Sequence, residues 1–288
     1  MGLKHAIEMY FRRVILSFIQ KSLERGDEMV SENISAGEPS GKYLLPEIFL
    51  INLDSAEARL QYADAQLKKL GANYKRIAAV AGRDLPVQEK RKVASFFRSN
   101  CALGRDLSDG EIGCALSHSK VYRRMIDENL PVVCVLEDDV VLADSFVEQL
   151  IFAVENIRSD KPQVLLLSNH TAFRSERKEI VKSSGDWYTE GYVLNTKAAK
   201  LLLKANSPIV VPCDSWKRFV KYFHLELFHV FPSVCSQNQT NFASSIGHEC
   251  LRSEKSALQN LLHKNKRRIE RFIDRFLLVV YDRFRGEE

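Results

Sequence analysis

Three consecutive carboxylates, Glu137, Asp138 and Asp139, close the run Val132-Val-Cys-Val-Leu136, and Val140-Val-Leu142 follows them. A short valine-rich run of this kind reads as a strand buried on both faces. Acids do not belong inside such a strand, because a buried, unpaired carboxylate is costly or shifts its pKa until it neutralises. The strand is therefore expected to end at the acids and to present them at its carboxyl end, where open α/β sheets bind their ligands. A divalent cation relieves the mutual repulsion of the three groups. Clustered hard oxygens suit Mn²⁺ or Mg²⁺, and such an ion stabilises a pyrophosphate leaving group. Two-metal phosphatases, nucleases and nucleotidyl transferases use similar devices. The bland alternative is a set of helix-capping or loop acids.

The elements that must position this acidic tip can be read on either side of it. Glu47-Ile-Phe-Leu-Ile-Asn-Leu53 has the pattern of a buried strand. Asp54 or Ser55 can cap a helix that runs to about Leu70 and stops at Gly71. Tyr74 to Val80 reads as a second strand, Gly82 to Pro86 as a turn, and the stretch to Phe97 as a short helix. Behind Gly110 a helix is expected from about Glu111 to Asn129, stopped by Pro131. Beyond the acids, Ser145 to Ile157 reads as a helix and Gln163 to Ser168 as a strand. This alternation predicts βαβ units and a mostly parallel sheet with helices on both faces. Then the pattern changes. Trp187 to Leu194 is aromatic and β-like, Thr196 caps a helix through about Lys204, and residues 208–250, with prolines at 208, 212 and 232, read as irregular loops of the kind that bind ligands.

Length and composition bound the answer. The chain has 288 residues, 45% hydrophobic and 27% charged, which is the composition of a folded globular protein rather than a disordered one. The net charge is +5, and residues 251–288 hold ten Lys and Arg against six Asp and Glu, so the tail carries most of the excess. The six cysteines form no C-x-x-C motif and are read as reduced thiols of a cytosolic protein. No secretory signal or membrane-spanning apolar run is expected. Residues 4–24 and 255–285 have amphipathic helical spacing. The division is 1–42 as helix and linker, 43–250 as the main domain, and 251–288 as a basic C-terminal helix.

Three ordered blocks resemble glycosyltransferase family 25, the lipooligosaccharide galactosyltransferase type. They are Ile48-Phe-Leu-Ile-Asn-Leu53 with Ser55 and Arg59, Gly110-Glu-Ile-Gly-Cys-Ala-Leu-Ser-His118, and Leu136-Glu-Asp-Asp-Val140. Weaker blocks, including Gly191-Tyr-Val-Leu194 and Pro212-Cys-Asp214, extend the resemblance over about residues 47–250. It implies a GT-A-like α/β fold, a UDP-hexose donor, Mn²⁺ or Mg²⁺, a lipid-anchored oligosaccharide acceptor, and transfer with inversion. On that reading Asn52, Arg59, Glu111, His118, Glu137 and Asp138 bind the donor, and Asp139 with Glu137 holds the metal. Asp214 is the expected catalytic base, with Asp186 and Glu190 as rivals and His248 as a further metal ligand. Trp187, Tyr188, Tyr192 and Trp216 are candidate sugar-stacking surfaces. The resemblance favours galactose from UDP-galactose and leaves glucose open.

A lipid-anchored acceptor also gives the basic stripe of residues 255–285 a use. It suits an anionic membrane surface, which implies a bacterial cytoplasmic protein peripheral on the inner membrane. Helix pairing in an oligomer is the alternative. A metal-dependent phosphohydrolase or nucleotidyl transferase accounts for the acids but not for the ordered blocks. A membrane- or nucleic-acid-binding adaptor leaves the acidic tip without a purpose, so no nucleic-acid partner is expected.

Overall fold

A computed structural model describes residues 45–171 and 174–238. The expected terminal helices, the basic stripe and His248 lie outside these residues, as do the boundaries drawn at 42 and 251.

Nine strands and seven α-helices occur among the described residues. The strands are β1 (Glu47–Asn52), β2 (Lys75–Ala78), β3 (Val132–Glu137), β4 (Val140–Leu142), β5 (Gln163–Leu166), β6 (Glu179–Ser183), β7 (Gly191–Asn195), β8 (Glu226–Phe231) and β9 (Cys235–Gln237). The helices are α1 (Glu57–Lys69), α2 (Val87–Val93), α3 (Phe96–Leu103), α4 (Asp109–Asp127), α5 (Phe146–Asn156), α6 (Thr196–Ala205) and α7 (Trp216–Phe223).

Seven strands form one sheet in the order β2-β1-β3-β7-β5-β8-β6, and β4 pairs with β9 beside it. The sheet is mixed, which corrects the mostly parallel expectation. β1 runs parallel to β2 and β3, and β5 to β8, but β7 is antiparallel to both β3 and β5, and β6 to β8. Parallel neighbours need a long crossover, usually helical. Helices separate β1, β2 and β3, whereas no helix lies between β5, β6 and β7.

Alternate residues of each central strand feed two layers, as the side-chain period of a strand requires. Phe49, Val133, Val135, Tyr192 and Leu194 pack with α4, α6 and α7 on one face. Ile48, Leu50, Cys134, Leu136 and Val193 pack with α1 and α5 on the other. Helices thus cover both faces as expected. The segment read as irregular holds α7, β8 and β9. Trp216, Phe219 and Tyr222 are the buried stripe of α7, at positions three apart, but eight residues are too few for that period to stand out from sequence.

Helix ends decide where the site residues fall. α4 starts at Asp109, two residues earlier than expected, because Ser108 is its cap: the Ser108 hydroxyl accepts the Glu111 N–H while Glu111 accepts the Ser108 N–H. α6 is capped by Asn195 rather than Thr196. Ala56 precedes α1 without a side-chain cap, and Asp54 pairs instead with Arg76.

The first turn of α4 lies almost in contact with the loop after β2. A methyl at Gly113 would come 2.4 Å from the Val80 carbonyl oxygen, and one at Gly82 would come 1.8 Å from that of Asp109. Ser117 clamps the same junction, accepting the Val80 N–H and donating to the Gly113 carbonyl. Gly113→Ala is expected to cost about 1–3 kcal/mol through overpacking against backbone that has no side-chain give. Thermal denaturation checks this, and an unchanged melting temperature would show that the helix can retreat freely.

Candidate active site

The carboxyl ends of β1, β2 and β3 open into a cleft of about 360 Å³. Its walls are Asn52, Leu53 and Arg59 from β1 and α1, the loop Ala79–Arg83 after β2, Asp109, Gly110, Cys114, Ser117 and His118 from α4, and Glu137, Asp138 and Asp139 after β3. Six expected site residues, Asn52, Arg59, His118, Glu137, Asp138 and Asp139, therefore share one cavity. Two sequence facts bring this about. The apolar strand cores stop where polar residues begin, and α4 packs its glycine face under the β2 loop.

Each acid has a different partner set. Asp138 accepts from Asn52 Nδ2 at 2.7 Å and from Arg59 Nη1 at 3.1 Å. Arg76, which the sequence reading passed over as a strand residue, donates from Nε to Asn52 Oδ1 and so turns the Asn52 amide toward Asp138. Asp139 accepts at Oδ2 from Gln237 at 3.2 Å and from Arg59 at 3.5 Å. Its Oδ1 is buried and has no hydrogen-bond partner among the described residues. Glu137 accepts from the Thr189 hydroxyl and contacts His118 Nε2 at 3.2 Å.

These surroundings pull the acids apart electrostatically. Burial, then the neighbouring Glu137 carboxylate, pushes Asp139 up to about 6. Burial raises Asp138 as well, against the pull of Asn52 and Arg59. Glu137 goes the other way, because burial is outweighed by the hydrogen bond and charge of His118. For His118, burial opposes the charge while the Cys114 sulfur and Glu137 favour it, and the balance raises its pKa to about 10. Contact with Cys213 and burial hold the Cys114 thiol well above its usual value, so Cys114 is a neutral thiol and the anion facing His118 is Glu137. The other imidazole nitrogen, Nδ1, lies 2.7 Å from the Tyr192 hydroxyl, itself 2.9 Å from that of Tyr122. Both imidazole nitrogens of His118 are thus engaged, Nε2 by Glu137 and Nδ1 by Tyr192.

Glu111 does not line the cleft. Arg105 grips both of its carboxylate oxygens, and the capping box uses one of them as well. Asp214 is not among the cleft-lining residues; its Oδ2 accepts the Tyr188 N–H at 3.3 Å. Burial and the nearby Glu137 charge raise its pKa. Its rivals belong to a separate polar cluster. Glu190 pairs with His170 and accepts from Ser168, while Asp186 accepts from the His170 N–H and lies 3.5 Å from His229 Nε2. His170, Ser168 and His229 carried no motif and could be found only from their placement.

The four aromatics split into two pairs. Tyr192 and Trp216 are core residues, whereas Trp187 and Tyr188 are 62% and 41% exposed. Cys114 and Cys213, 99 positions apart, have their sulfurs 3.2 Å from each other, and with His118 they gather three atoms of metal-ligating type within 4.8 Å. Both cysteines are free thiols. Among the described residues no helix is long and apolar enough to cross a membrane.

A mixed α/β sheet whose acidic strand end opens into a cleft rimmed by a helix amino terminus is a ligand-binding α/β enzyme scaffold. Residues 45–216, more than half of the chain, match the family described as glycosyltransferase family 25 (LPS biosynthesis protein). The chain belongs to that family and is a glycosyltransferase. It is 26% identical over 256 residues to the lacto-N-neotetraose biosynthesis glycosyltransferase LgtE of Neisseria meningitidis, covering 81% of this chain and 86% of that protein. It is 28% identical over 189 residues to procollagen galactosyltransferase 1-A of Xenopus laevis, covering 61% of this chain but only 31% of the larger protein. A solved glycosyltransferase involved in glycosylation of the major capsid of PBCV-1 aligns with 62% of this chain and 75% of its own at 8% identity and a TM-score of 0.30, too low to argue from. Membership of the family removes the phosphohydrolase and adaptor alternatives.

Proposed function

We propose that the protein moves galactose from UDP-galactose, with inversion, onto a sugar of a lipooligosaccharide or lipopolysaccharide. The observation that carries this reading is the buried acid cluster at the end of β3, in which Asp139 Oδ1 meets no donor among the described residues. A carboxylate oxygen buried without a partner is costly, and a bound cation is the partner that would make it favourable. The donor set fits: Glu137 and Asp139 supply hard oxygens of the kind Mn²⁺ and Mg²⁺ prefer. When bound, the ion neutralises charge on the donor diphosphate and stabilises the UDP leaving group.

The chain's own residues do the rest. The His118 contact favours the ionised form of Glu137. Asn52 and Arg59 hold Asp138 and fix the floor on which the nucleotide half of the donor rests, and the amino end of α4 at Asp109 and Gly110 favours an anionic diphosphate. Asp214, its basicity raised by burial, takes the proton of the acceptor hydroxyl. As that proton leaves, the hydroxyl oxygen bonds to the anomeric carbon and the bond to UDP breaks. Glu111 stays outside this set as a helix-capping residue. The family description, an LPS biosynthesis protein, and the lacto-N-neotetraose biosynthesis relative support the lipooligosaccharide or lipopolysaccharide acceptor class.

The test is turnover of UDP-galactose and UDP-glucose by the full chain, with and without Mn²⁺ and with lactose or truncated lipooligosaccharide as acceptor. Acceptor-dependent UDP release, fastest with UDP-galactose, and an inverted anomeric configuration by proton NMR are expected. UDP release that ignores the acceptor, or retained configuration, would overturn the reading.

A further inference from the structure

Tyr188 is a bulky aromatic with φ of +73°, in the left-handed region. Side chains with a Cβ avoid that region, and such strain persists where surrounding contacts over-determine it, often at functional sites. Here the contacts are explicit. The Tyr188 N–H donates to Asp214 Oδ2 at 3.3 Å, and its carbonyl accepts from Trp216 Nε1 at 2.8 Å. Next in the chain, the Thr189 hydroxyl donates to Glu137. The strained residue is therefore tied on one side to the proposed base and on the other to the acid cluster.

Two aromatic side chains in sequence are exposed at this point. Trp187 and Tyr188 are 62% and 41% exposed. The His170 ring lies 4.4 Å from the Tyr188 ring, tilted by 45°. The His170 Nε2 pairs with Glu190, which also accepts from Ser168 at 3.0 Å. Two exposed aromatic side chains thus stand beside the partly exposed imidazole of His170, which the buried Glu190 carboxylate holds in place. A pyranose has the matching chemistry, with C–H groups on one face and hydroxyls around its rim. A protein partner or a lipid surface would call for a broader contiguous apolar patch than two side chains.

We infer that Trp187, Tyr188 and His170 form the acceptor-sugar subsite, in which Trp187 and Tyr188 take the apolar face of a pyranose and the His170 imidazole, held in place by the buried Glu190, takes its hydroxyl rim. The inference deepens the proposed transfer reaction and rests on it. It places the acceptor beside Asp214, on the far side of Glu137 from the Asp138–Arg59 end of the cleft.

Tryptophan fluorescence of the full chain tests it, because the protein has two tryptophans and Trp216 is buried. The probes are lactose and methyl glycosides of galactose, glucose and N-acetylglucosamine, titrated in the presence of UDP. The expected result is a saturable change with at least one probe that is lost in Trp187→Ala. In turnover assays, Trp187→Ala should raise the acceptor KM about tenfold or more and shift the UDP-galactose KM by less than about twofold, while Trp187→Phe recovers most of the loss. No change with any probe, a change that persists in Trp187→Ala, or an unmoved acceptor KM overturns the assignment. Sugar binding that depends on Trp187 in a protein that transfers no hexose would sink the transfer reaction and leave the sugar subsite standing.

Discussion

Asp139→Asn is expected to reduce hexose transfer by about a thousandfold or more, the scale on which removing one electrostatic stabiliser of a developing charge is felt. The same change should make the metal-free protein more stable at neutral pH. In the folded chain the Asp139 pKa is pushed up to about 6, above the roughly 3.9 of an unfolded aspartate. A raised folded pKa means that the folded state holds the proton more tightly. The associated stability is fully present below about pH 4 and is lost as pH rises through about 6, by on the order of 2–3 kcal/mol. Asparagine cannot ionise and escapes this loss. The difference in melting temperature between Asp139→Asn and the natural protein, measured in EDTA, should therefore widen in favour of the variant from pH 4 to pH 7. Added Mn²⁺ should raise the melting temperature of the natural protein at pH 7 and leave that of the variant unmoved. Retained turnover in the variant would move the cation site elsewhere.

The second large effect is expected at Asp214. Asp214→Asn keeps the shape and an acceptor oxygen for the Tyr188 N–H, but it removes the group that accepts the hydroxyl proton. A loss of about 10²–10⁴-fold in kcat follows, with little change in the KM for UDP-galactose. The acid limb of the pH profile for kcat should disappear with it, because burial and the Glu137 charge raise the Asp214 pKa from its ordinary value. Glu190→Gln is the informative comparison. Glu190 already accepts from His170 and Ser168, so its variant should act through acceptor KM. A larger kcat loss in Glu190→Gln than in Asp214→Asn would exchange their roles.

Both predictions depend on placements that were legible to different degrees. The acidic tip was readable because an apolar strand and a run of carboxylates cannot share one environment, so the strand had to end at Glu137. The α4 block was readable as a helix, yet the purpose of its residues was not. Gly113 serves a backbone approach, Ser117 a clamp on Val80, and Glu111 a cap, and each depends on an element that lies elsewhere in the sequence. Arg76 read simply as part of the second strand, and only the pairing of β2 beside β1 sets it against Asn52.

The sequence by itself determined the α/β class, the strand that carries the acids, and the family blocks, because these are local properties: periodicity, composition and order along the chain. The tertiary structure decided the rest. It made the sheet mixed, since β7 enters without a crossover helix and runs against both of its neighbours. It also sorted the aromatics, burying Tyr192 and Trp216 while leaving Trp187 and Tyr188 exposed beside the acids. Residues of identical type and neighbouring number met opposite fates there, because burial is set by what packs across from a side chain, and that neighbour comes from a distant part of the chain.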